Sequence, residues 1–202
     1  MEDRETWTTD EFGASHEGWV EVLLDDGSVP PPAFFNTGLG LCVYETSHWS
    51  VYDGRYRPIP RAAALRAACA CGWRGPEYRL DWAAIGEQDL GAAGADQADT
   101  CSGDWEGHAE AIEATTIPLP ETVTSLLEQL EAEIDKLGNS SPLAAVRAAR
   151  RTEVTARQAG YLAARNARHD AAPGRAAAAL GLDEDRARAE LARLGRWNPS
   201  YM

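Results

Sequence analysis

Two cysteines separated by one alanine, in the run Cys69-Ala70-Cys71-Gly72-Trp73, constrain this chain more than any other feature of its sequence. Thiols this close together, just before a glycine, are typical of a turn that offers soft ligands to a metal ion. His108 follows on a segment that we expect to be a short helix beginning near Asp104. Because thiolate and imidazole donors favour zinc, the pattern predicts a zinc site held by Cys69, Cys71 and His108.

A tetrahedral site needs a fourth ligand, and the sequence offers two candidates. Cys101 lies shortly before the predicted helix turn of His108, and His48 lies on a segment that precedes the two cysteines. A competing interpretation treats the cysteines as small buried residues and His108 as a surface residue. If zinc is bound, we expect a structural ion, because no H-E-x-x-H pattern accompanies the ligands.

The first half of the chain is predicted to be rich in strands. Residues 1–17 are polar and expected to be mobile, whereas 19–24, 41–52 and 65–71 carry the β-formers of strands bounded by turn residues. Residues 86–104 are rich in glycine, alanine and aspartate, and are expected to form a loose acidic loop.

The second half is predicted to be helical. Its first helix carries a heptad-like seam and should end at Gly138. Ser141-Pro142 should begin a second helix that runs to about His169, and two short helices are expected over 175–180 and 184–195, separated by Gly181. The seam consists of Val123, Leu127, Leu130, Ile134 and Leu137. We expect it to bury against another helix, and we favour the second helix of the same chain over a symmetry mate because two heptads are short for an independent coiled coil.

These features predict an α+β protein: a small β-rich zinc-binding N-terminal module, followed by an α-helical module with a helix-turn-helix-like tail. The expected domains are 1–117 and 118–202. The formal net charge of −13 is unevenly distributed, with −18 over residues 1–141 and +5 over 142–202. An acidic front and a basic back indicate two modules with different surfaces.

The tail has the small residues that a helix-turn-helix needs. Ala177, Gly181 and Ala187 would let two helices approach closely around a tight turn. Nucleic-acid contacts are expected from arginines of the long basic helix and of the last helix, although the acids at 183–185 would repel phosphates. The candidate nucleic-acid-binding residues are Arg147, Arg150, Arg151, Arg186 and Arg188.

Two resemblances accompany these motifs. The Cys69-Ala70-Cys71 run is similar to the first half of a SWIM-type zinc finger, in which a C-x-C hairpin precedes a C-x-H at a helix start. Here Cys101 and His108 are separated by five more residues than that pattern has. The C-x-C-G-W-R-G motif and the tail also resemble uncharacterised actinobacterial, streptomycete-like proteins over about residues 40–197. That second resemblance implies no activity.

The function expected from the sequence is regulatory, in association with duplex DNA or transcription, with a structural zinc ion. The alternative is a non-enzymatic adaptor or DNA mimic whose acidic face binds a basic protein. No nucleotide-binding or hydrolase motif is present, so no catalytic residue is assigned. The chain has no signal peptide or apolar span, which predicts a cytoplasmic protein without a membrane partner. A homodimer is expected as one alternative, because helix-turn-helix regulators usually pair.

Overall fold

The computed structural model describes residues 4–36, 43–170 and 172–196, and the chain divides into two units, Met1–Ala114 and Thr115–Met202. The predicted α+β class is confirmed, with a small antiparallel sheet in the first unit and helices in the second. Residues 41 and 42 of the predicted strand 41–52 lie outside the described residues, and so do residues 37–40 before it.

The first unit is built on a four-stranded antiparallel sheet with the order β1-β2-β5-β6. A separate β3-β4 hairpin is formed by the chain between β2 and β5. The strands are β1 (Thr6–Trp7), β2 (Gly18–Leu23), β3 (Ala33–Asn36), β4 (Val43–Thr46), β5 (Ala64–Cys69) and β6 (Arg74–Arg79). The central pair, β2 and β5, is almost wholly buried. Its register joins Gly18 to Cys69 and Leu23 to Ala64.

Three helices follow the sheet: α1 (Trp82–Ile85), α2 (Leu90–Ala93) and α3 (Ala95–Glu113). The predicted loop over 86–104 and the helix start near Asp104 are therefore wrong. Helix α3 begins before Asp104 because small residues recur on one of its faces and pack against the sheet. Since these residues are small, the apolar stripe is inconspicuous in the sequence. The buried residues of α3 are Ala98, Cys101, Trp105 and Ala109.

The N-terminal segment also differs from its prediction. Within it the structure has β1 and a short 3-10 turn, Gly13–His16, and the side chain of His16 is 2% exposed. The predicted strand 65–71 ends at Cys69, which leaves Cys71 in the turn that leads to β6. Beyond β4, the predicted strand 41–52 gives way to a 3-10 turn over Trp49–Val51.

The second unit contains α4 (Glu121–Ser140), α5 (Pro142–Asp170), α6 (Pro173–Ala179) and α7 (Glu184–Leu194). Ser141 alone connects α4 to α5, and the two helices form a hairpin. The predicted end of α4 at Gly138 is wrong by two residues, because this glycine stays helical. Helix α7 packs on α5 where Gly160 contacts Leu194, and Gly181 takes φ +63° in the turn between α6 and α7.

None of the helices in the described part of the chain is both long enough and apolar enough to cross a lipid bilayer.

Candidate metal centre

Four side chains of the first unit bring nitrogen and sulfur donors to one point. One ligand atom from each of His16, Cys69, Cys71 and His108 lies within 4.8 Å of all the others. Two histidines and two cysteines are a donor set found in structural zinc sites. This group can hold a metal ion.

The turn between β5 and β6 supplies both thiols. Cys69 closes β5, its amide donates to the Trp73 carbonyl, and its own carbonyl accepts from Gly72 at 2.9 Å. Gly72 takes φ +98°, a conformation that side-chain-bearing residues avoid, and this lets the chain reverse tightly after Cys71. The amide of Trp73 then points at the Cys71 sulfur, 3.5 Å away. The glycine that follows the cysteines is thus required by the shape of the turn.

His16 reaches the site because β2 begins two residues after it. The pairing of Gly18 with Cys69 brings the end of the 3-10 turn beside the thiols. The Trp105 indole N–H donates to the His16 carbonyl at 3.0 Å, and the indole ring lies directly against Gly18. The helix and the strand therefore hold the backbone of His16 from two sides.

His108 is contributed by α3, three residues after the buried Trp105. Its imidazole stacks on the Trp73 indole with ring centroids 4.3 Å apart and planes at 5°. Since Trp73 belongs to the same turn as Cys71, this stacking fixes the ring next to the thiols. The centroid of His108 lies 5.7 Å from that of His16.

Two of the separations between donor atoms agree with a tetrahedral zinc ion. With zinc–sulfur bonds of about 2.3 Å and zinc–nitrogen bonds of about 2.0 Å, sulfur and nitrogen ligands should lie roughly 3.5 Å apart. Cys71 Sγ lies 3.3 Å from His108 Nε2, and Cys69 Sγ lies 3.7 Å from His16 Nδ1. All six separations between the four donor atoms are at most 4.8 Å.

Burial shifts the pKa of two of the four side chains. It raises the pKa of the Cys69 thiol to about 11, with the neighbouring Cys71 adding to the rise. Burial also lowers the pKa of His108, and the proximity of His16 lowers it further. The imidazole thus stays neutral with a lone pair available, whereas Cys69 must lose its proton when a metal binds.

The structure brings together three of the predicted ligands, Cys69, Cys71 and His108, but neither candidate for the fourth position. Cys101 precedes His108 by seven residues of continuous helix, which separates them by about 10 Å along the axis. Its side chain is fully buried in the core. His48 caps the 3-10 turn Trp49–Val51, with Nδ1 2.8 Å from the Ser50 hydroxyl. The fourth donor is His16.

The sequence contains no local signal for His16, because it lies 53 residues before Cys69. Only the pairing of β2 with β5 brings the two together. Residues 1–17 were predicted to be mobile, and a mobile segment was not expected to supply a ligand.

The predicted nucleic-acid residues fall into two groups. Arg147, Arg150 and Arg151 are exposed on one face of α5 and make no ion pair among the described residues. Arg186 and Arg188 lie on α7, where each pairs with an acid three residues earlier, Asp183 or Asp185. The described structure does not bring the two groups into one cluster of unpaired arginines.

Comparisons of the chain with protein-family models, with curated proteins and with solved structures found no match.

Proposed function

We propose that the first unit is a zinc-binding domain in which His16, Cys69, Cys71 and His108 hold one structural zinc ion. The convergence of the four donors within 4.8 Å carries this proposal. Zinc fits better than calcium or magnesium, because those ions require oxygen ligands.

A structural role is favoured over a catalytic one because the protein supplies all four ligands. A catalytic zinc ion normally keeps a position open for water or substrate. The ligands here also come from three separate elements, the 3-10 turn, the β5–β6 turn and α3. An ion at this point would cross-link those elements and stabilise the first unit.

Zinc content measured on purified full-length protein tests the proposal. We expect about one zinc ion per chain, and less than about 0.2 after His16→Ala or Cys71→Ser, because loss of one of four ligands greatly weakens a structural site. The matched controls are His48→Ala and Cys101→Ala, which alter the same residue types outside the group. Both should retain about one zinc ion, as a four-ligand site requires.

Two results would count against zinc. One is wild-type protein that stays metal-free after incubation with zinc under reducing conditions. The other is loss of zinc from a control variant to the same extent as from the ligand variants.

The wider role expected from the sequence, a regulatory protein associated with nucleic acid, stays a prediction. Arg147, Arg150 and Arg151 make no ion pair among the described residues, which favours the nucleic-acid role. The ion pairs that Arg186 and Arg188 form with Asp183 and Asp185 favour the adaptor alternative. If α5 contacts phosphates, binding to duplex DNA should weaken steeply with salt. Replacing Arg147, Arg150 and Arg151 with alanine should then weaken binding to all DNA sequences alike. If the protein does not shift duplex DNA at low salt, the adaptor becomes the leading interpretation.

A further inference from the structure

The hairpin of α4 and α5 leaves a row of apolar side chains open to solvent. None of the twenty residues of α4, all of them described, is buried. Four apolar residues of its first half keep 40–61% of their surface exposed. They are Val123, Leu126, Leu127 and Leu130, which together we call the α4 stripe. A contiguous row of this kind marks an interaction surface.

Helix α5 leaves the α4 stripe exposed. The half-buried residues in the first turns of α5 are small: Ala144, Ala145, Ala148 and Thr152. On the same part of α5, Leu143 and Val146 are 85% and 66% exposed. The hairpin therefore has exposed apolar side chains on both of its helices.

The two helices carry opposite charges that are not matched within the hairpin. Helix α4 has five acids and one lysine, and α5 has six arginines and two acids. Among the described residues no ion pair joins α4 to α5; the pairs Lys136–Glu133 and Arg157–Glu153 each stay within one helix. An acidic helix and a basic helix are thus both available to a partner that presents the reverse arrangement.

We propose that this surface is an interface between two copies of the chain, in which two hairpins form a four-helix bundle with α4 of each copy beside α5 of the other. A second copy is the occupant that supplies both apolar surface and reversed charge. Ser141 connects the two helices of each copy, so residues at equal distances before and after it lie at the same height along the bundle. Acids about ten residues before Ser141 therefore lie level with arginines about ten residues after it. With both connections at the same end, Glu128, Glu131 and Asp135 of one copy lie beside the arginines Arg147, Arg150 and Arg151 of the other.

Sedimentation of the full-length, metal-loaded protein tests the apolar part of the interface. We expect a dimer whose dissociation constant rises on the order of 100-fold in the double variant Leu126→Glu, Leu130→Glu, because the centre of an apolar interface dominates its affinity. Both side chains are exposed in the single chain, so helicity should be unchanged. Leu180→Glu, at an equally exposed leucine between α6 and α7, is the control and should remain dimeric.

Charge exchange tests which helices meet. One variant replaces the α4 acids Glu128, Glu131 and Asp135 with lysine. A second variant replaces Arg147, Arg150 and Arg151 with glutamate. Each should dimerise about tenfold more weakly alone, because like charges then face each other. An equal mixture should form a heterodimer close to wild-type affinity, since both contacts become complementary again. Failure of the mixture to associate would overturn the pairing of α4 with α5.

Two further outcomes would overturn the proposal. One is a monomer at every concentration, or a dimer that Leu126→Glu, Leu130→Glu leaves intact. The other is a monomer that binds duplex DNA through the same arginines, which would make nucleic acid the occupant of that surface. Zinc content measured on the same variants reports the metal centre independently, so failure of one proposal does not count against the other.

Discussion

Gly18 is the residue that allows α3 to approach the sheet closely enough to deliver His108. A Cβ atom at this position would lie 2.4 Å from the Trp105 ring, far inside van der Waals contact. Trp105 also holds the His16 carbonyl, so the same contact supports two of the four ligands. A residue without a side chain is therefore needed at a point remote in sequence from the cysteines.

We expect Gly18→Ala to lower the free energy of unfolding of the first unit by about 1–3 kcal/mol, the usual cost of overfilling a packed core. Gly107→Ala is the matched control, because nothing lies within 4 Å of a Cβ there and the residue is inside α3. It should stabilise by about 0.5–1 kcal/mol through its helix propensity. Urea unfolding followed by tryptophan fluorescence measures both, and equal effects would contradict the close-approach argument.

A second residue, Tyr78, makes the stability of the first unit depend on pH. The Tyr78 hydroxyl donates to Asp104 Oδ2 at 2.7 Å, and this bond, together with burial and the carboxylate charge, raises the pKa of Tyr78 to about 12. Folding therefore favours the protonated phenol. Its stabilisation is fully present below the usual tyrosine pKa of about 10 and is lost as the pH rises towards 12.

Tyr78→Phe should accordingly cost about 0.5–1.5 kcal/mol at pH 7, as for an ordinary hydrogen bond, and the difference from wild type should shrink above pH 10. Tyr56→Phe is the control, because that ring is 63% exposed. Urea unfolding at several pH values measures the difference. A gap between Tyr78→Phe and wild type that stays constant up to pH 12 would contradict the assignment.

At the scale of elements, proline and glycine made the later helices predictable. Pro142, Pro173 and Gly181 separate α5, α6 and α7, and the predicted bounds fall within two residues of the observed ones. The first half of α3 was missed because alanine and cysteine form most of the buried face of this helix. An alanine-rich stretch with glycines does not reveal which side is apolar. The predicted end of β5 lies two residues too late, because the reversal at Gly72 begins earlier than the alternation of side chains suggests.

Helix α7 has a defined first turn, and its cap can be tested. The Asp183 side chain accepts from the Arg186 amide at 2.8 Å. Asp183→Ala should therefore destabilise the second unit by about 1 kcal/mol, the usual effect of losing a cap. Asp185→Ala removes only an exposed carboxylate that pairs with Arg188, so it should cost less than about 0.5 kcal/mol. Circular dichroism at 222 nm during urea unfolding measures both, and equal losses would exclude the capping role.

At the scale of the whole molecule, the sequence predicted the fold class and a short-range part of the site. Cys69 and Cys71 are separated by a single residue, and His108 on a predicted helix supplied a third donor. The fourth position depended on strand pairing over 53 residues, and local periodicity does not contain that information. The proximity of Cys101 to His108 in sequence suggested ligation, but a continuous helix separates them.

Metal removal should affect the two units differently. Six of the seven tryptophans belong to Met1–Ala114. Of the seven α-helices that the described residues form, four, including the longest, belong to Thr115–Met202. Chelation should therefore lower the thermal midpoint followed by tryptophan fluorescence by 10 °C or more, on the order expected for loss of a structural ion. The midpoint followed at 222 nm should move much less. Equal shifts of both signals would show that the ion stabilises the entire chain.

The wide spacing of the ligands along the chain has a consequence for folding kinetics. His16 and Cys69 are 53 residues apart, and Cys71 and His108 are 37 apart. Each separation is a long loop that must close before the donors meet, so the sheet and α3 have to associate before the ion finds its full coordination. We therefore expect zinc to slow unfolding strongly while leaving the rate of folding nearly unchanged, unlike a small zinc finger, whose folding requires the metal.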